Sequence, residues 1–144
     1  MIFNIRVYGI LINPSNEVLI SDELINCKHY TKFPGGGLEF GEGIKDCLIR
    51  EFKEETLLDM LVDEHIYTTD FFQVSAFNPQ HQIISVYYLV KPKVAVDLMK
   101  YFQLLNNREN ANEYFRWIDL KKLSKNDMSL PIDKIVVDLI KNKF

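Results

Sequence analysis

Three consecutive glycines, Gly35-Gly36-Gly37, lead through Leu38-Glu39-Phe40-Gly41-Glu42-Gly43 into Arg50-Glu51-Phe52-Lys53-Glu54-Glu55. No other stretch constrains the chain so tightly. The glycines predict a loop that a ligand can approach closely, since glycine tolerates φ > 0 and carries no Cβ. From Ile44 onward the chain has helical periodicity. At about 100° per residue with Glu51 set to zero, Ile44, Leu48 and Phe52 fall between roughly 20° and 100°. Cys47 and Leu58 fall at about 320° and 340° by the same spacing. Glu55, at about 40°, lies within this apolar stripe beside Glu51, and Glu54 lies on its border. Lys45, Asp46, Lys53 and Thr56 fill the opposite, solvated side.

Carboxylates on a core-facing stripe are costly unless a cation meets them. Glu51 and Glu55 are one turn apart, about 5–6 Å between Cβ atoms, and repel on a plain helix. Oxygen-rich clusters with room for water and phosphate oxygens suit Mg²⁺ or Mn²⁺. A surface helix with ordinary pairs, such as Arg50 with Glu54, accounts for Glu54 but not for Glu51 and Glu55. The glycines give no Walker sequence, because no Gly-Lys-Ser/Thr follows, and no dinucleotide fingerprint. Taken alone they fit a tight strand-to-helix connection equally well.

With these residues in place, the chain resembles the Nudix hydrolase family. Gly36, Glu42, Arg50-Glu51-Phe52-Lys53-Glu54-Glu55 and Leu58 match that family's motif at its fixed offsets. Leu57 departs, standing where the family has glycine. A glycine there would be an αL helix-ending residue, so leucine predicts a different helix exit, or a cost of about 1 kcal/mol if αL is kept. The resemblance implies an α/β fold, the Nudix-type α/β/α sandwich with a mixed sheet between helices, over a single domain spanning 1–144. It implies a metal-dependent pyrophosphohydrolase using Mg²⁺ (Mn²⁺ also possible). Glu51, Glu54 and Glu55 match its metal-binding carboxylates, and the carbonyl of Gly35 matches a further ligand. Arg50 matches an arginine that positions a glutamate, and Glu42 reads as a tie between loop and helix. An extra glutamate, ligand or base, is expected before the strand that carries Trp117. Within Asn110-Ala111-Asn112-Glu113-Tyr114-Phe115-Arg116-Trp117 the candidate is Glu113, with Glu109 behind it; a solvated loop acid is the competing reading.

The candidates for ligand contact are Gly36 and Gly37 on the backbone side and Phe33 as a base-stacking ring. Tyr30, Phe72 and Tyr87 are further candidates, and for each ring a core position competes. His29, His65 and His81 lack ligand spacing.

Composition fits this reading. A chain of 144 residues can bury a sizeable core. A net charge of −3 gives no reason to expect electrostatic capture of nucleic acid or membrane. Cys27 and Cys47 lack metal-type spacing and read as reduced thiols of a cytoplasmic protein. No apolar run suggests a signal core or a membrane span.

Along the chain, Arg6–Ile12 and Val18–Ile20 read as strands around an Asn13-Pro14-Ser15-Asn16 turn. Lys32–Pro34 reads as a short extended entry to the glycines. Ile66–Val74 and Gln82–Val90 read as an antiparallel pair, and Tyr114–Ile118 as another strand. Val94–Leu105 carries a helical stripe after Pro92. Pro131 is placed to open a last helix whose stripe is Ile132, Ile135, Val136, Leu139 and Ile140.

The expected substrate is a small nucleotide-type molecule, with a lean toward a nucleoside diphosphate linked to another moiety. A homodimer is reasonable for the family. Two alternatives stand: a non-catalytic Nudix-like nucleotide-binding module, and an isopentenyl-diphosphate isomerase of the same fold.

Overall fold

The structure is a computed structural model and describes residues 1–109 and 111–144. Asn110, the first residue of the stretch carrying Glu113, lies outside the described residues. The chain runs β1 (Ile2–Leu11), β2 (Glu17–Ile25), β3 (Lys28–Lys32), β4 (Gly35–Gly37) and α1 (Ile44–Thr56). It continues through β5 (Met60–Thr68), β6 (His81–Pro92), α2 (Leu98–Asn106) and β7 (Glu113–Asp119). A 3₁₀ turn over Lys125–Asp127 precedes α3 (Pro131–Lys143).

The strands form two sheets, ordered β4-β1-β6-β5 and β3-β2-β7. The first is mixed: β1 and β6 are parallel, and the other neighbours are antiparallel. Their central strands are apolar on both faces, as strands covered on both sides must be. In β1, Tyr8 and Ile10 join Tyr87 and the α3 residues Val136 and Ile140 in one core. Val7 and Leu11 join Leu48 and Phe52 of α1 and Phe102 of α2 in the other. The expected α/β sandwich follows from this period-two split.

The glycines are not a free loop. Gly35–Gly37 pair with Arg6–Tyr8 as the edge strand β4. The β2–β3 turn uses Asn26 and Cys27 at φ 50° and 64°, the two left-handed residues of a tight hairpin turn. Strand β5 begins at Met60 and ends at Thr68, so Ile66–Val74 misplaces it; Val74 makes only an isolated bridge to Gln82. Its polar Asp63-Glu64-His65 stretch is tolerated because β5 is the outer strand of its sheet and breaks register there.

Helix α2 starts after Asp97, whose side chain accepts a hydrogen bond from the Lys100 N–H; Pro92 closes β6 instead. The Asn106 side chain clamps α2 to β7, donating to the Phe115 carbonyl at 2.6 Å and accepting from its N–H at 2.9 Å. Proline does open α3, but the buried face is Ile132, Asp133, Val136, Val137 and Ile140. Ile135 and Leu139 are turned outward.

Candidate metal and phosphate site

Helix α1 lies against β4 with Cys47, Leu48, Phe52 and Thr56 buried. Two expectations fail here. Ile44 is exposed, and Thr56 is fully buried with its hydroxyl donating to the Phe52 carbonyl at 2.6 Å. The helix ends at Leu57, which takes αL geometry (φ 64°) and donates its N–H to the Lys53 carbonyl. The exit is therefore the one a glycine would give, and the different exit expected for leucine does not occur.

Behind the helix, Gly36 explains why a glycine is required. A Cβ there would sit 2.3–2.5 Å from the carboxylate atoms of Glu51, so that carboxylate lies directly over the strand backbone. Gly35 has φ 148°, and a Cβ on it would meet the Val7 carbonyl oxygen at 2.1 Å. The three-glycine run is thus partly a packing requirement of the site.

The outer side of α1 carries a clasp. Arg50 donates from Nη2 to Glu42 Oε1 at 2.7 Å and from Nε to Glu42 Oε2 at 2.9 Å, a bidentate grip. Its Nη2 also donates to the Gly37 carbonyl, and the Glu39 N–H reaches Glu42 Oε1 at 2.9 Å. These hydrogen bonds, Arg50's foremost, hold the Glu42 carboxyl down at about 2. Arg50 Nη1 then reaches Glu51 Oε1 at 3.1 Å and both oxygens of Glu54 at 3.3 Å. The Glu54 side chain remains 60 % exposed.

The inner side is different. A cavity of about 230 Å³ is lined by Gly35, Gly36, Gly37, Glu51, Glu55 and Lys32, with Arg6, Tyr8, Glu23, Ile25 and Phe77 completing its wall. Glu55 Oε2 is buried there without a hydrogen-bond partner. Burial pushes its carboxyl up to about 9 despite the opposing pull of Lys32, with Glu113 and Glu51 adding repulsion. Burial also raises Glu51, against Arg50. Glu113, on β7, is raised by burial and accepts from the Ser21 hydroxyl at 2.5 Å.

Lys32 is almost completely buried, 3.2 Å from Glu23 and 3.8 Å from Glu113. Burial alone would lower its ammonium, but Glu55, Tyr8, Glu23 and Glu113 reverse this and the net shift is upward. Sequence reasoning missed Lys32, Arg6 and Glu23. The available signal was period two, Arg6 with Tyr8 on β1 and Lys32 with Tyr30 on β3.

Of the sequence candidates, Gly35, Gly36, Gly37, Glu51 and Glu55 line the cavity; Arg50 and Glu54 flank it, and Glu113 lies behind Lys32. Phe33 must be corrected as a base-stacking ring. It is fully buried in the α3-side core, edge-on to Tyr87 with centroids 6.1 Å apart, and offers no face to a ligand. Tyr87 is buried too, while Phe72 is exposed away from the cavity walls.

Among the described residues, no three His, Cys, Asp or Glu side chains already stand gathered at metal-binding distance. The geometry explains this, since Arg50 draws Glu54 outward and Lys32 stands inside. The donor set nevertheless fits a hard cation. Inside the cavity Glu23, Glu51, Glu55 and Glu113 outnumber Arg6 and Lys32. Arg50, which reaches Glu51 from outside, is shared with Glu42 and Glu54, so carboxylates are in excess beside a buried oxygen without a partner.

A family model described as the NUDIX domain matches residues 3–139. The chain belongs to the Nudix family. Its fold is similar to the E. coli ORF135 protein, with a TM-score of 0.71 at 15% identity over 99% of this chain and 91% of that one. It is also similar to the MutT protein from Methanosarcina mazei Go1, with a TM-score of 0.70 at 20% identity over 98% and 94% of the two chains. MutT from methicillin-resistant Staphylococcus aureus 252 gives 0.64 at 22% identity over 99% and 98%. No curated protein matches the sequence.

Proposed function

We propose that this protein is a metal-dependent pyrophosphohydrolase that cleaves a phosphoanhydride bond in a nucleoside diphosphate linked to another moiety. The observation that carries the reading is Glu55 Oε2, buried without a partner in a cavity floored by backbone glycines and rich in carboxylates. Membership of the Nudix family supports the reaction class.

Glu51 and Glu55 would hold a divalent ion from the inner side of α1, with the carbonyl of Gly35. Glu54, hydrogen-bonded to Arg50 here, would complete the set. Mg²⁺ or Mn²⁺ bound there would supply a coordinated water of lowered pKa and offset charge on the diphosphate. Arg50 fixes the rotamer of Glu51 through its hydrogen bond while anchored on Glu42. Arg6 presents a guanidinium to the cavity, where it can meet a phosphate oxygen. Gly36 and Gly37 let the diphosphate lie against the strand backbone.

An adjoining cavity supports a place for the group attached to the diphosphate. A second, mainly apolar cavity of about 250 Å³ shares Arg6, Tyr8 and Phe77 with the first and extends to Asn78, His81 and Ile132. Phe77, packed edge-on to Tyr30 at 4.9 Å and 40% exposed, is the aromatic wall between them. A nucleoside suits such walls.

The test is a panel of nucleotide sugars, ADP-ribose, nucleoside triphosphates and dinucleoside polyphosphates with Mg²⁺ or Mn²⁺. Release of a nucleoside monophosphate or inorganic phosphate is expected. Glu55→Gln should lower turnover at least about 10²-fold through lost charge stabilisation. Binding without release would indicate a nucleotide-binding module, and isomerised product an isomerase. Equal turnover in wild type and Glu55→Gln would remove the assignment.

A further inference from the structure

Lys32 has the least expected environment of any charged side chain in the site. Its side chain is 4% exposed, an unusual place for a strongly hydrated ammonium. Its surroundings are built by register. Glu23 and Glu113 are directly opposed across β2 and β7, and Lys32 is opposed to Ser21 across β2 and β3. Ser21 in turn donates to Glu113 at 2.5 Å. From α1, Glu55 lines the same cavity as the ammonium. Carboxylates from three separate elements therefore converge on one buried positive charge.

The charge balance gives that arrangement a consequence. Arg50 reaches Glu51 from outside but is shared with Glu42 and Glu54. Within the cavity Glu23, Glu51, Glu55 and Glu113 stand against Arg6 and Lys32, so four carboxylates against two cations leave an excess of two negative charges there. One divalent ion neutralises that excess. A further ion would have to displace the lysine or overcome its repulsion at close range.

We propose that the Lys32 ammonium is a resident cation holding the position between Glu55, Glu113 and Glu23 that a second divalent ion would otherwise take, so that a side chain sets the metal count. This rests on the metal reading proposed above. It also gives Glu113 a definite part: it is the lysine's partner, not a free metal ligand. Lys32 is a positioning residue, acting on carboxylates and not on the reacting atoms.

The experiment is a count of Mn²⁺ bound by the substrate-free protein, from the loss of the free-ion electron paramagnetic resonance signal. Wild type is expected to take up about one ion per chain, by the charge balance. Lys32→Met should take up about two, and Lys32→Arg, which keeps the charge, about one. In the double variant Lys32→Met/Glu113→Gln the extra ion should be lost. Two or more ions on wild type overturn the proposal, and that count needs no variant to fold. So does an equal count on wild type and Lys32→Met, which leaves the metal site itself standing. No Mn²⁺ on either protein overturns both the Lys32 assignment and the metal reading beneath it.

Discussion

Helix α1 carries charge on two sides, and the sides differ in almost everything but residue type. On the outer side, Arg50 meets Glu42 and Glu54 in a clasp that reaches water at Glu54, and Glu42 is held ionised. On the inner side, Glu55 is buried with an oxygen lacking any partner, and its carboxyl is pushed up to about 9. Glu54 and Glu55 are chain neighbours. A carboxylate's job therefore depends on what surrounds it. The clasp is a fastening, complete within the protein; the cavity is a charge imbalance that the protein leaves open.

Asp133 sharpens the contrast most strongly in energy. It is fully buried on α3, with Oδ1 accepting from the Tyr87 hydroxyl at 2.5 Å and Oδ2 without a partner. Burial raises its pKa from 3.8 to about 6. The native state thus holds this proton more tightly than the unfolded chain does. The stability it contributes is complete below 3.8 and lost as pH rises through about 6. The loss amounts to about 3 kcal/mol at neutral pH, taking 1.36 kcal/mol per pH unit. Asp133→Asn should remove that fall, so urea midpoints of variant and wild type should agree near pH 4 and separate at pH 7, the variant being higher. A constant separation across the range would show that Asp133 is ionised throughout.

The clasp should give a smaller effect. Arg50→Lys loses the bidentate grip on Glu42 and the fork that orients Glu51. We expect Mg²⁺ affinity to fall by about 10–100-fold, the usual range for a residue supporting a metal ligand. The unfolding midpoint should move little, since lysine keeps the charge beside the part-buried Glu42 and the exposed pair with Glu54 contributes about 0–1 kcal/mol. A large stability loss with unchanged affinity would reverse the roles given to the two sides.

The smallest effect belongs to the helix end. Leu57 is 57% exposed and strained in αL geometry, so Leu57→Gly should stabilise by about 1 kcal/mol, visible as a higher melting temperature. Turnover should not change, because Leu57 touches neither the clasp nor the cavity. A drop in turnover would tie the helix exit to the site.

The parts of this architecture that are legible in the sequence are those with strong local signals. Helix α1, its carboxylates and the turn between β1 and β2 follow from periodicity, motif spacing and an Asn-Pro signal. Strand β3 and the first half of β5 are hidden because both are edge strands carrying exposed polar residues, Lys28 and His29 in one and Asp63 and Glu64 in the other. Thr56 reads as solvated because its hydroxyl is satisfied by the helix's own backbone, a bond that composition does not reveal. Lys32 and Phe33 exchange the places that residue type suggests for them. They are adjacent and point to opposite sides: the lysine enters the cavity and the ring enters the core. Only the register of β3 against β2 decides which goes where.

Calorimetric titration of Mg²⁺ into wild type, Glu55→Gln and Leu57→Gly tests most directly whether the inner cavity is a cation site. Glu55→Gln is expected to lose at least about 10²-fold in affinity, since it removes a hard anionic ligand from the ion, while Leu57→Gly binds as wild type does. Equal Mg²⁺ affinity in wild type and Glu55→Gln would contradict the account.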